Sequence, residues 1–315
     1  MPMPIKIAVL DDFQGAALAM ADWSVLDGRA EISVFRDHLA DPADVVKRLQ
    51  PFDVVCVMRE RTPLDRAILA QLGRLKLIVS TGRRNASIDL EAAKDRGITV
   101  CNTGYTSHGA MELTWALLLA GLRSLPAETV SLQGGGWQVA VGGELYGKTL
   151  GIVGLGKIGA KVARVAQAFD MDVVAWSQNL TAEAASAAGA RLVGKDELFR
   201  ISDVVTLHLV LSERSRGIVA APELALMKPT AWLINTARGP LIDEQALIDA
   251  LQNRRIAGAG LDVYDVEPLP AGHPLPKLDN VVATPHVGFV THDTYQVFYQ
   301  DSVAHIAAWL DGKAG

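Results

Sequence analysis

Three side chains able to do acid–base and electrostatic work stand in the last third of the chain: Arg238, Glu267 and His286. A guanidinium forks onto a carboxylate through two parallel hydrogen bonds. An imidazole exchanges protons with oxygen near neutral pH, and a neighbouring carboxylate orients it and favours its charged form. Together such a set could hold an acid, polarise a carbonyl beside it and move one proton. Taken singly, each residue has a plainer reading. Arg238 would be a surface ion-pair partner, Glu267 a loop residue ahead of Pro268, and His286 a hydrogen-bonded structural histidine.

A second constellation has the form of a phosphate cradle. Gly154, Leu155, Gly156, Lys157, Ile158 and Gly159 spell G-x-G-x-x-G. The hexapeptide alone is weak, but its setting is specific. It follows an apolar strand candidate at 150–153 and opens a helical stretch with Ile158, Val162, Ala166 and Phe169 on one face. A strand candidate at 173–176 then closes a βαβ unit. The first glycine permits the tight turn, the second lets a pyrophosphate approach the backbone, and the third lets helix and strand pack closely. The free N–H groups and positive dipole end of the helix then face the anion. The bland alternative is a structural strand–helix turn. NAD binding usually places a carboxylate about 20 residues on, against the ribose. Here Ser177, Gln178 and Asn179 stand at that place. With no carboxylate to repel a 2′-phosphate, NADP is the expected cofactor, and NAD held by neutral hydrogen bonds is the alternative.

Elements must carry these residues. Strand candidates at 5–10, 31–35, 53–58, 75–80 and 99–102 alternate with helical stretches at 44–49, 64–72 and 88–96, the last closed by Gly97. A long helical stretch at 109–125 follows. The glycine-rich break from Gly134-Gly135-Gly136 to Gly142-Gly143 is the strongest internal boundary signal. Further strand candidates lie at 150–153, 173–176, 191–193, 204–208, 231–235, 259–262 and 281–283, and a last helix near 294–310. Strand–helix–strand order means parallel sheets with crossovers, and continuously apolar strands mean sheets buried on both faces. The expected class is α/β with two doubly wound parallel-sheet domains. Arg238, Glu267 and His286 each fall beyond the C-terminal end of a strand, the edge at which such sheets bind ligands.

Composition bounds the rest. The chain has 315 residues, half of them hydrophobic and 21% charged, enough for two cores. That excludes a disordered, collagen-like or disulfide-scaffold chain. A net charge of −5 argues against a nucleic-acid partner. Cys56 and Cys101 lie in apolar runs and are expected as buried free thiols in a reducing compartment, and no Cys/His cluster has metal spacing. Met1-Pro2-Met3-Pro4 runs directly into a short apolar strand, without the pattern of a signal peptide. The longest apolar run, 115–122, is far short of a membrane span. A soluble, cytoplasmic protein without a membrane partner is expected.

Three motifs then occur in order: Asn235-Thr236-Ala237-Arg238-Gly239, Gly260-Leu261-Asp262-Val263-Tyr264 leading to Glu267-Pro268, and Thr284-Pro285-His286. Arg238 and Glu267 are 29 apart, Glu267 and His286 19 apart. With the glycine loop, these residues make the chain resemble the D-isomer-specific 2-hydroxyacid dehydrogenases, of the formate/glycerate dehydrogenase type, over nearly its whole length. The resemblance implies a flavodoxin-like substrate domain, 1–103 plus 292–315, with a Rossmann cofactor domain, 104–291, inserted into it and the active site in the cleft between. It implies hydride transfer between a nicotinamide cofactor and a D-2-hydroxy acid/2-oxo acid pair, with Arg238, Glu267 and His286 catalytic. The substrate carboxylate would lie on Arg238 and on backbone N–H groups near 80–83, with Arg59, Thr81, Gly82 and Arg83 facing it. His208, Thr236, Ala237, Asp262 and Gly288 would line the cofactor. The helix after residue 109 would serve a homodimer interface or the core. The adjacent arginines Arg83-Arg84 and the segment Gly288-Phe289-Val290-Thr291-His292 depart from the family pattern and leave substrate size and charge open. Two other readings stand beside this one: a dinucleotide-sensing corepressor or scaffold without turnover, and a dehydrogenase of formate or phosphite.

Overall fold

A run such as Val54–Val57, four apolar residues all buried, fits a strand covered on both faces, and the chain uses it that way. The computed structural model describes residues 4–313. Met1, Pro2 and Met3, where the leader pattern is judged, lie outside the described residues. The chain divides into two compact units, one made of Met1–Thr106 with Val290–Gly315 and the other of Ser107–Phe289.

The first unit holds β1 (Ile5–Val9), β2 (Ala30–Val34), β3 (Val54–Val57), β4 (Leu77–Ser80) and β5 (Thr99–Asn102). They pair in parallel in the order β2-β1-β3-β4-β5, the flavodoxin-like arrangement. The intervening helices Pro42–Leu49, Arg66–Gln71 and Leu90–Asp95 each start at an aspartate, Asp41, Asp65 and Asp89, whose carboxylate accepts a first-turn N–H. The helix His292–Leu310, from the far end of the chain, packs on β4 and buries Phe298 and Tyr299.

The second unit holds β6 (Thr149–Val153), β7 (Asp172–Trp176), β8 (Arg191–Leu192), β9 (Val204–Leu207), β10 (Trp232–Asn235), β11 (Gly258–Leu261) and β12 (Val281–Ala283). All pair in parallel, ordered β12-β11-β10-β9-β6-β7-β8. This is the Rossmann order with one strand added. Its direction of winding reverses between β6 and β9. Successive strand residues enter opposite cores: Ile152, Val173 and Val204 one, Val153, Val174 and Val205 the other. Each fully buried Val or Ile removes apolar area worth about 1.5–3 kcal/mol from water.

Four expectations need correction. The glycine-rich break at 134–143 is an exposed connection inside the second unit, not its boundary. The helix His108–Leu122, ahead of it, packs on β10 and β11 and so belongs to the same core. The helix expected over 109–125 runs from His108 to Leu122, and a second helix, Leu125–Gln133, for which the sequence reading has no element, follows it after Ser124 takes a left-handed φ of 51°. Phe169, expected inside the helix with Val162 and Ala166, falls just past its end and stays partly exposed. It caps the helix Lys157–Ala168 and packs 5.2 Å from the Trp115 ring. Cys56 is buried as expected, but Cys101 is only half-buried, because β5 is an edge strand.

Candidate active site

The glycine loop sits between β6 and the helix Lys157–Ala168. Gly154 has φ +103°, and a Cβ there would stand 2.7 Å from the His208 carbonyl carbon. A Cβ on Gly159 would strike the carbonyl oxygen of Gly154, so the helix can approach the turn this closely only with glycine. Gly156, at the N-cap, has open space on its Cβ side and no side chain to satisfy the first-turn N–H groups. A cavity of about 600 Å³ opens here, lined by Gly154, Leu155 and Gly156, by Ser177, Gln178 and Asn179 after β7, and by His208 after β9. An open helix N-terminus with backbone donors at a winding reversal fits a dinucleotide pyrophosphate. Lys157, Ile158 and Gly159 fall in the helix behind this wall, and Thr236, Ala237, Asp262 and Gly288 lie outside the cavity lining.

His208 hydrogen-bonds through Nε2 to Thr206 Oγ1 at 3.0 Å. Burial holds its imidazole down to about 4, so it is neutral at neutral pH and does not supply the acid.

The acid–base set is built at the C-terminal ends of β10, β11 and β12. Asn235, buried at the end of β10, accepts from the Ala237 N–H at 3.0 Å and donates to the Arg238 carbonyl at 2.9 Å, which folds the turn that presents Arg238. Gly239 lies against the Tyr264 backbone with no room for a Cβ, so this turn and the loop after β11 pack together. That loop holds Glu267 by both oxygens: Oε1 accepts from the Tyr264 N–H at 3.0 Å, and Oε2 lies 2.5 Å from His286 Nδ1. Burial pushes the Glu267 carboxyl up. The hydrogen bond and charge of His286, the Tyr264 N–H and the charge of Arg238 outweigh it and hold the group below its ordinary value. The three predicted residues therefore meet in one site. Glu267 takes Nδ1, and Nε2 is the ring nitrogen left able to exchange a proton.

His286 has a left-handed φ of 52°, and Asp262 holds that loop in place. Its Oδ1 accepts from Thr284 Oγ1 at 2.6 Å and from the Val287 N–H at 2.8 Å, and its Oδ2 accepts from the Gly288 N–H at 2.8 Å. Asp262 is 1% exposed, and burial raises its carboxyl above the usual range against those three hydrogen bonds and the charge of His286. Asp262 and Gly288, expected along the cofactor, thus spend these groups on each other. The sequence signal for this role of Asn235 is its type, since an Asn at the end of a strand favours a turn.

In the first unit, Arg59 has a left-handed φ of 54° and lies over Gly82, with its guanidinium carbon 5.3 Å from the Tyr105 ring centre. Its N–H donates to Thr81 Oγ1 at 2.9 Å. The expectation of free N–H groups near 80–83 needs revision. The Thr81 N–H donates to the Val57 carbonyl at 3.0 Å and the Gly82 N–H to Thr103 Oγ1 at 2.8 Å. Arg83 and Arg84 are exposed. Among the described residues, no group of three or more His, Cys, Asp or Glu is placed to hold a metal ion, and no helix is long and apolar enough to cross a membrane.

Residues 115–288 match the family profile described as D-isomer specific 2-hydroxyacid dehydrogenase, NAD binding domain. The chain belongs to this family. It is 38% identical to the D-3-phosphoglycerate dehydrogenase of Methanocaldococcus jannaschii over 92% of its own length, but spans only 54% of that relative. It is 35% identical to the glyoxylate reductase of Thermococcus litoralis, covering 90% of this chain and 88% of the relative. Among solved structures it superposes on a phosphoglycerate oxidoreductase from Vibrio cholerae with a TM-score of 0.93 and 35% identity, over 98% of this chain and 99% of that one. As a member of this family, the chain has two parallel-sheet α/β units, with the glycine loop in the one the profile covers.

Proposed function

We propose that the protein is an oxidoreductase interconverting a D-2-hydroxy acid and its 2-oxo acid with a nicotinamide cofactor, and that His286 is its acid and base. The observation that carries this is the His286–Glu267 pair set beside Arg238 at the C-terminal edge of the seven-stranded sheet. The cofactor, when bound, supplies the hydride to C2 of the 2-oxo acid or takes it from the hydroxy acid. Arg238 receives the substrate carboxylate. His286 Nε2 gives a proton to the C2 oxygen in reduction and takes it back in oxidation. Glu267, ionised and fixed by two donors, keeps the ring aimed and balances its positive charge. Arg59, Thr81, Gly82 and Arg83 contribute further substrate contacts, with the Arg59 guanidinium in place of the two engaged N–H groups. Glyoxylate and phosphoglycerate name the acids of relatives, and a small 2-oxo acid is the substrate class we favour here.

The cofactor site comprises the loop 154–159, Ser177, Gln178, Asn179 and His208, with Thr236, Ala237, Asp262 and Gly288 toward the nicotinamide. NADP is preferred to NAD, because only neutral groups stand at the end of β7. The protein acts as a homodimer in the cytoplasm. The helix Leu125–Gln133 has no buried residue, and Leu125, Val130, Leu132, Val139 and Val141 are exposed beside Trp137 at 73%. Glu128 accepts from the Val139 and Ala140 N–H groups, so this apolar surface is tied to the helix.

The test is oxidation of NADPH and NADH, followed by the absorbance of the reduced nicotinamide, with glyoxylate, hydroxypyruvate, pyruvate and a branched 2-oxo acid. Turnover with any of them that His286→Ala abolishes is the expected result. Cofactor binding without turnover on every acid would sink the reading and favour a sensing role.

A further inference from the structure

We infer that Arg214 selects a 2′-phosphorylated cofactor by closing on the phosphate from the loop after β9, opposite Ser177 and Asn179. The inference rests on the cofactor reading above and adds the residue that β7 lacks. The end of β7 offers neither a carboxylate nor an arginine, so its sequence alone leaves the choice of ribose open. The cavity has a second wall. Ser212, Arg214 and Ser215 line it together with Ser177 and Asn179.

The charges of that lining point one way. Among the residues lining the cavity, none is Asp or Glu, and Arg214 is the one Lys or Arg. Arg214 is exposed and has no hydrogen-bond or ion-pair partner among the described residues. Elsewhere in the same unit Lys195 and Lys228 are by contrast bound to Glu223 at 2.8 Å and Asp203 at 2.9 Å. The backbone that carries Arg214 is fixed. The Ser212 N–H donates to Ser215 Oγ at 2.8 Å, and Ser215 Oγ donates to the Val210 carbonyl at 2.8 Å. Across the cavity, Ser177 Oγ accepts the Leu155 N–H at 3.2 Å, so its own O–H is available to donate outward. The cavity therefore offers one guanidinium, the Ser177 hydroxyl and the amides of Gln178 and Asn179 as donors, with no carboxylate to oppose them. A guanidinium fork with neutral donors around it recognises a dianionic phosphate, and a bare ribose hydroxyl gives it nothing to neutralise.

Calorimetric titration of the full chain with adenosine 2′,5′-bisphosphate and with adenosine 5′-monophosphate tests this without turnover. The wild type should hold the bisphosphate at least about tenfold tighter, the scale of one charge-assisted contact. Arg214→Gln should bring the two ligands to within about threefold while leaving the monophosphate affinity unchanged, and Arg214→Lys should restore part of the gap. Because Arg214 is exposed and unpartnered, the Arg214→Gln melting temperature should match the wild type, which shows that any loss is local. A wild type without preference, or an Arg214→Gln protein that keeps it, overturns the assignment while dinucleotide binding stands. Binding of neither adenosine probe nor of NADPH or NADH would overturn the cofactor reading, and this assignment with it.

Discussion

His286 and Glu267 work as a pair because backbone groups hold them from behind. His286→Asn tolerates the left-handed backbone, so it should keep the fold while lowering kcat by about 10²–10⁴-fold, as expected for removal of a positioned acid–base group. Steady-state rates beside a thermal melt read both. Glu267 keeps its carboxyl below the ordinary value, so its contribution to stability is fully present above the unfolded-state pKa and is lost as pH falls through the lowered folded value. Glu267→Gln should therefore melt below the wild type near neutrality, and the gap should close in acid. A gap that stayed constant with pH would deny the pairing. Asp262→Asn should lose about 1–3 kcal/mol and slow turnover, because in either orientation its new NH₂ faces a donor, the N–H of Val287 or of Gly288. Arg238, Glu267 and His286 were legible in sequence because their types, spacing and strand-end positions all point to one reaction. The work of Asp262 was not, because accepting backbone N–H groups leaves no periodic trace. Nor could spacing show that Val57 and Thr103 already engage the N–H groups expected to meet substrate.

Strands were the most legible elements. Buried parallel strands must be short and apolar on both faces, and that pattern survives in sequence at β3, β4, β6 and β9. Helix ends were harder. The stretch 109–125 reads correctly as one helix, His108–Leu122, but Leu125–Gln133 is signalled only by Pro126, since proline favours the first turn of a new helix, and with no buried residue it has no apolar stripe to mark it. Asp243, by contrast, begins its helix as its residue type suggests, its Oδ1 accepting from the Ala246 N–H at 3.1 Å. Asp243→Ala should cost about 0.5–2 kcal/mol in a denaturant melt. The glycine loop has less tolerance. Gly159→Ala drives a methyl into the Gly154 carbonyl, so it should weaken NADPH binding by at least about tenfold and also lower the melting temperature. Unchanged affinity would mean that the loop is not the phosphate cradle.

For the molecule as a whole, composition allowed two domains but could not say that one is inserted into the other. Only the family motifs implied that, since local pattern carries no record of which helix returns to which sheet. The exposed apolar surface around Trp137 gives the prediction proper to this scale. Sedimentation equilibrium should find a particle of two chains, and Val141→Asp combined with Trp137→Ala should shift it to one chain. A wild type sedimenting as a single chain would refute the dimer. The insertion also has a consequence during synthesis. Ser107–Phe289 is one uninterrupted stretch, whereas the other unit needs both Met1–Thr106 and Val290–Gly315. The nascent five-stranded sheet must wait for Phe298 and Tyr299 until all of the seven-stranded unit has been translated, at roughly 5–20 residues per second. For that interval its β4 face is uncovered, so the first unit to be made is the last to be finished, and the stalled chain is where a chaperone would find its apolar surface.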